Sequence, residues 1–216
     1  MAHSFVKAGL VAAAALFTFS AQAATSYCSA MGGNTDGLKV TDVTYGANFP
    51  NPPISAATDC YGVVSGTDSL AEINALTWAS GGSFTLLDKT DSVVGPSLLG
   101  LTWTLAATEG QVGTYTLSTN TPIVPAQFFD FVVVLKASTS YAAYFFDEAR
   151  FDGTGGGAWT IQFTNGGGLT PALSHMSIYG RGGSTPPDII LVPEPSSLAL
   201  VGLAMLGLGL ARRKSA

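Results

Sequence analysis

Apolar and polar positions alternate with a period of two through the middle of the chain. Leu99, Leu101, Trp103 and Leu105 fall on one face of a stretch, and Trp159, Ile161 and Phe163 are set against Thr160 and Gln162. Successive side chains of a strand point to opposite faces of a sheet, so such stretches predict half-buried strands. Nine of them, bounded by Gly, Pro, Asn and Ser, fall at 39–45, 60–64, 83–88, 99–106, 114–118, 128–136, 141–146, 158–163 and 174–179. Within the sixth, Phe131-Val132-Val133-Val134-Leu135 is apolar on both faces, which marks a strand covered on both sides. The short polar run 137–140 and the next strand, Tyr141 to Phe146, predict a hairpin with it. Helix signals are scarce. Ser69-Leu70-Ala71-Glu72 is a capping-box pattern that starts a short helix through Leu76.

Nine strands with few helices predict an all-β fold, an antiparallel β-sandwich of jelly-roll-like type spanning residues 24–180. The glycine clusters 153–157 and 166–168 read as loops, and Gly180-Arg181-Gly182-Gly183 opens a Gly/Ser/Pro-rich linker over 181–191. Leu76-Thr77-Trp78 followed by Ser83-Phe84-Thr85-Leu86 resembles Leu101-Thr102-Trp103 followed by Thr114-Tyr115-Thr116-Leu117, as two successive hairpins would. The similarity is too short for a solenoid or propeller repeat.

The two ends follow other patterns. At 1–23, Lys7, an uncharged apolar run from Ala8 to Phe19 and the small-x-small triplet Ala21-Gln22-Ala23 read as a secretory signal peptide, leaving Ala24 as the mature N-terminus. At the other end, Val192-Pro193-Glu194-Pro195 precedes an apolar segment, 196–211, and the basic residues Arg212, Arg213 and Lys214. Sixteen residues of helix reach roughly 24 Å, a marginal transmembrane span that snorkelling basic side chains extend. Those cations hold the C-terminus on the cytoplasmic side, which leaves the rest of the chain outside. Pro193 and Pro195 keep the preceding residues extended, a form that a processing enzyme can grip.

Residues 192–216 resemble the PEP-CTERM sorting domain of exported Gram-negative bacterial proteins, with Pro193, Glu194 and Pro195 matching its signature and Arg212 and Arg213 its basic end. The resemblance covers about a tenth of the chain. It implies an exosortase-type membrane processing enzyme as partner, a transient membrane anchor, and a destination at the cell surface or in an extracellular polysaccharide matrix.

Composition narrows the role of the remainder. Without Lys7, Arg212, Arg213, Lys214 and Glu194 the formal charge falls from −5 to about −8, and no basic stripe is left for nucleic acid. Cys28 and Cys60, an even pair in an exported chain, predict one disulfide closing a long N-terminal loop. Catalytic patterns are sparse. The mature part has a single histidine, His175, without a Gly-x-Ser-x-Gly elbow, and neither a zinc set nor a phosphate loop is present, so no catalytic, cofactor or metal residues are assigned. Asp147, Glu148 and Asp152 cluster around an expected turn, where they read as a solvated face, a calcium site or a carboxylate pair for glycoside hydrolysis. The expectation is a non-enzymatic structural or interaction ectodomain. Its alternative is a carbohydrate-binding or glycan-processing protein of the exopolysaccharide matrix, which needs exposed aromatic side chains to stack on sugar rings.

Overall fold

The computed structural model describes residues 26–28 and 33–184. The expected signal peptide (1–23), the linker from 185 onward, the sorting segment (192–216) and its apolar span (196–211) lie outside the described residues. The elements, in chain order, are β1 (Ser26–Tyr27), a 3₁₀ turn (Val40–Asp42), β2 (Thr44–Tyr45), β3 (Ser55–Ala56), β4 (Asp59–Ser65), α1 (Leu70–Asn74) and a second 3₁₀ turn (Thr77–Gly81). They continue with β5 (Thr85–Lys89), a third 3₁₀ turn (Leu98–Gly100), β6 (Trp103–Ala107), β7 (Val112–Thr119), β8 (Gln127–Ala137), β9 (Ser140–Phe151), β10 (Thr154–Thr160) and β11 (His175–Gly182). Among the described residues no helix is long and apolar enough to cross a membrane.

The fold is all-β with antiparallel pairing throughout. A six-stranded sheet has the order β1-β4-β9-β8-β11-β5, a three-stranded sheet the order β10-β7-β6, and β2 pairs with β3. Strand β8 explains why its sequence does not alternate. Phe129, Phe131, Val133 and Leu135 pack against Trp103, Leu105, Tyr115, Leu117 and Trp159 of the smaller sheet. On the opposite face, Val132 and Val134 join Ile73, Leu76, Trp78 and Phe84 of the α1 region. Both faces are covered, so both must be apolar. The β8–β9 hairpin forms as expected, with Ala137 opposite Ser140. Helix α1 has its capping box: Ser69 Oγ accepts from the Glu72 N–H, and Glu72 accepts from the Ser69 N–H. Cys28 and Cys60 form the expected disulfide, which ties the residue after β1 to β4.

Several expectations are corrected. The run 153–157 is not a loop, because Gly155, Gly156 and Gly157 lie inside β10. A Cβ on Gly157 would sit 1.7 Å from the Thr44 carbonyl oxygen, and one on Gly155 would sit 2.8 Å from the Tyr45 hydroxyl. Glycine is present there because the 44–46 segment crosses too closely for a side chain. Similarly, Gly180, Arg181 and Gly182 belong to β11, so the fold continues past the expected boundary at 180. The stretch 39–45 contains a 3₁₀ turn before β2, since the Asp42 carboxylate takes the Lys39 N–H at 2.7 Å and folds the chain back. Leu99 turns at φ 60°, so the strand expected from 99 starts at Trp103. Leu76–Trp78 begin the second 3₁₀ turn and not a hairpin arm, so the apparent similarity between the two Trp segments is not structural.

Candidate functional site

Among the described residues, three carboxylates meet where β9 carries one residue more than β8. Phe129 pairs with Ala149 and Phe131 with Phe146, so Asp130 alone faces Asp147 and Glu148. This is a β-bulge, a feature that re-aims side chains. Glu148 adopts φ 50° at the bulge, and its N–H donates to Asp130 Oδ1 at 3.0 Å. The carboxylate oxygens of Asp130, Asp147 and Glu148 lie within 4.8 Å of one another, close enough to share one cation.

Arg181 neutralises part of this charge. Its Nε and Nη2 donate to Asp130 Oδ2 at 2.8 and 2.7 Å, and Nη1 donates to the carbonyls of Trp78 and Gly82. The guanidinium carbon also lies 4.5 Å from the Phe84 ring centre. One arginine therefore fastens the last strand, the bulge and the outer cover together. Partial burial raises the Asp147 carboxyl above its ordinary value, helped by the Asp130 charge, a hydrogen bond to Asp130 and Glu148, while Arg181 opposes the rise. Glu148 accepts from Ser184 Oγ through Oε1, and its Oε2 is buried without a partner.

Asp130 was hidden in the sequence inside an apolar strand, and the hint was a lone carboxylate in Phe128-Phe129-Asp130-Phe131. Asp152 does not join the cluster. It lies 3.7 Å from Arg150. The bulge opens onto a cleft of roughly 220 Å³ lined by Tyr45, Asn48, Pro53, Thr58, Phe146 and Arg150, with Asp147 and Glu148 on its wall. The tryptophans offer it no stacking surface: Trp78, Trp103 and Trp159 are 8%, 2% and 0% exposed and belong to the two core clusters. His175 sits between Asp68 and Asp91, and Ser177 gives its hydroxyl to Asp68 and not to the imidazole.

The last described residue is Ser184, fixed beside the bulge by its bond to Glu148. Beyond it, residues 191–214 match the family model of the PEP-CTERM protein-sorting motif. The chain carries a PEP-CTERM sorting motif. Pro193, Glu194 and Pro195 all fall inside the matched residues, as do Arg212, Arg213 and Lys214. The PEP-CTERM match covers the tail and not the β-rich domain. No curated protein and no solved structure matches the chain. The PEP-CTERM motif marks the protein as one exported and sorted through its C-terminus, in keeping with an exosortase substrate.

Proposed function

We propose that the protein is an exported surface or extracellular-matrix component whose β-rich ectodomain is a non-catalytic structural or interaction module. In this reading the tail holds it in the inner membrane until an exosortase-type enzyme removes the anchor. The observation that carries the reading is the PEP-CTERM match at 191–214, which begins shortly after the described fold ends at Ser184. At no more than about 3.6 Å per residue, the six residues between them keep the domain within roughly 25 Å of the motif. The glycan-binding alternative is weakened by the burial of Trp78, Trp103 and Trp159. What it keeps is the cleft beside Asp147 and Glu148.

The test compares the intact mass and membrane fractionation of the protein from its native host with those of a variant in which Pro193, Glu194 and Pro195 are all alanine. The expected result is a wild-type chain lacking Arg212 to Ala216 outside the inner membrane, and a variant retained there at full C-terminal length. Identical masses and fractionation for both would remove the sorting role.

A further inference from the structure

A second charged cluster lies away from the bulge, at the opposite end of β11. His175 starts that strand. Its Nε2 is 3.0 Å from Asp68 Oδ1 and its Nδ1 is 3.1 Å from Asp91 Oδ2. Asp68 directly precedes the Ser69 cap of α1, and Asp91 lies in the turn that follows β5. One imidazole therefore bridges two segments that the sheet ladders leave separate. Ionised carboxylates only accept hydrogen bonds, so occupying both ring nitrogens at once requires a proton on each, and the bridging form is the imidazolium.

The two carboxylates are not equivalent. The Asp68 side chain is 3% exposed and Asp91 is 46% exposed. Asp68 also accepts from Ser177 Oγ, and its backbone carbonyl accepts from the Tyr179 hydroxyl. The other groups facing the cluster are Lys89, 4.0 Å from Asp68 and 3.7 Å from Asp91, and Lys136 on β8, whose Nζ donates to the Ser138 carbonyl. Glu72 and Tyr141 lie on the α1 and β9 sides. When the ring loses its second proton, the remaining N–H stays with buried Asp68, which water cannot reach to replace it. Exposed Asp91 then faces a bare nitrogen and keeps only the 3.7 Å approach of Lys89, a solvent-exposed pair that holds it weakly.

We propose that His175 is a pH-operated clasp: protonated, it pins the Asp91 turn to the α1 entry, and deprotonated it lets that turn go while keeping Asp68. The segment released is the start of the crossover from the large sheet to the small one, residues 90–102, which carries the exposed apolar side chains Val93 and Leu99. An exported domain would thus loosen this crossover in alkaline surroundings and hold it in mildly acidic ones. Asp68 bounds the window on the acid side. Although burial acts against it, the bonds from His175 and Ser177 hold its carboxyl below the ordinary value. Its contribution is therefore present above the unfolded carboxylate value and fails only as the pH falls through the lowered folded one.

The experiment is hydrogen exchange in the full chain in detergent micelles, read at single amides and corrected for intrinsic rates, at about pH 5 and pH 8, the range over which histidine changes charge. Thr90 and Ser92 report on the turn, since their N–H groups donate to the Met176 and Lys89 carbonyls. Their protection is expected to fall about tenfold at the higher pH, the loss of one charge-assisted hydrogen bond, while Ile73 in α1 stays unchanged. His175→Gln, neutral at every pH, should show the low protection at both. Asp91→Asn should show high protection at both, because its amide can accept from Nδ1–H or donate to the bare nitrogen. Equal wild-type protection at the two pH values, or a drop in Asp91→Asn as large as in the wild type, overturns the clasp. The second arm stands even if the glutamine variant does not fold.

Discussion

Replacing Asp130 with alanine isolates the contribution of the arginine anchor. The side chains of Arg181 and Asp130 are 13% and 7% exposed, so the pair is largely shielded from water. Deleting one partner of such a pair leaves an uncompensated charge, which typically costs 3–5 kcal/mol, whereas a solvent-exposed pair is worth up to ~1 kcal/mol. Two features pull the figure toward the lower end. Arg181 keeps its bonds to the Trp78 and Gly82 carbonyls and its contact with Phe84, and removing one carboxylate relieves repulsion with Asp147 and Glu148. Against this, the Glu148 N–H also loses its acceptor. The balance is a loss of about 3 kcal/mol. Equilibrium urea unfolding of wild type, Asp130→Ala and Asp130→Asn, followed by tryptophan fluorescence, measures it. Asparagine retains an acceptor and should recover part of the loss. A cost for Asp130→Ala below about 1 kcal/mol would show that the pair behaves like an exposed one and would refute the anchor.

Three further outcomes follow from the geometry. Asp147→Asn should stabilise the fold at neutral pH: a carboxyl raised in the folded state binds its proton more tightly there, so wild-type stability declines as pH rises through that window, and urea midpoints for the variant should lack the decline. Gly157→Ala drives a methyl into the Thr44 carbonyl oxygen and should cost more than the usual 1–3 kcal/mol of overpacking, whereas Gly166→Ala, with open space around it, should change little; thermal melts of the two separate the effects. Breaking the disulfide with Cys28→Ser and Cys60→Ser removes a constraint across a separation of 32 residues, and chemical denaturation should register a loss of up to roughly 4 kcal/mol.

How much of this was legible in the sequence depends on how local each cause is. The β8–β9 hairpin and the α1 cap were readable because their partners are a few residues apart, and the unbroken apolar run in β8 correctly announced a strand covered on both faces. Gly155 and Gly157 misled because glycine usually marks a turn, while the reason for these lies more than a hundred residues earlier, in Tyr45 and Thr44. Asp130 was missed for a related reason. Its charge is answered by Arg181, 51 residues away, and its neighbours meet it through a bulge that no pattern of alternation reveals. The sorting motif is the converse case, since its three devices lie side by side and need no fold to be recognised.

The position of the last strand has a mechanical consequence. A tether joined to the C-terminus pulls on β11, which is not an edge strand but lies between β8 and β5. It is in register with eight residues of β8 on one side and four of β5 on the other. Tension applied along such a strand loads its ladders in shear, so many hydrogen bonds must fail together, whereas an edge strand pulled sideways unzips one bond at a time. Arg181, close to the point where the load enters, spreads it into Asp130 on β8 and into the Trp78 and Gly82 carbonyls of the outer cover. A pull at the C-terminus is thereby shared among β8, β5 and the outer cover, and does not peel away a single edge strand.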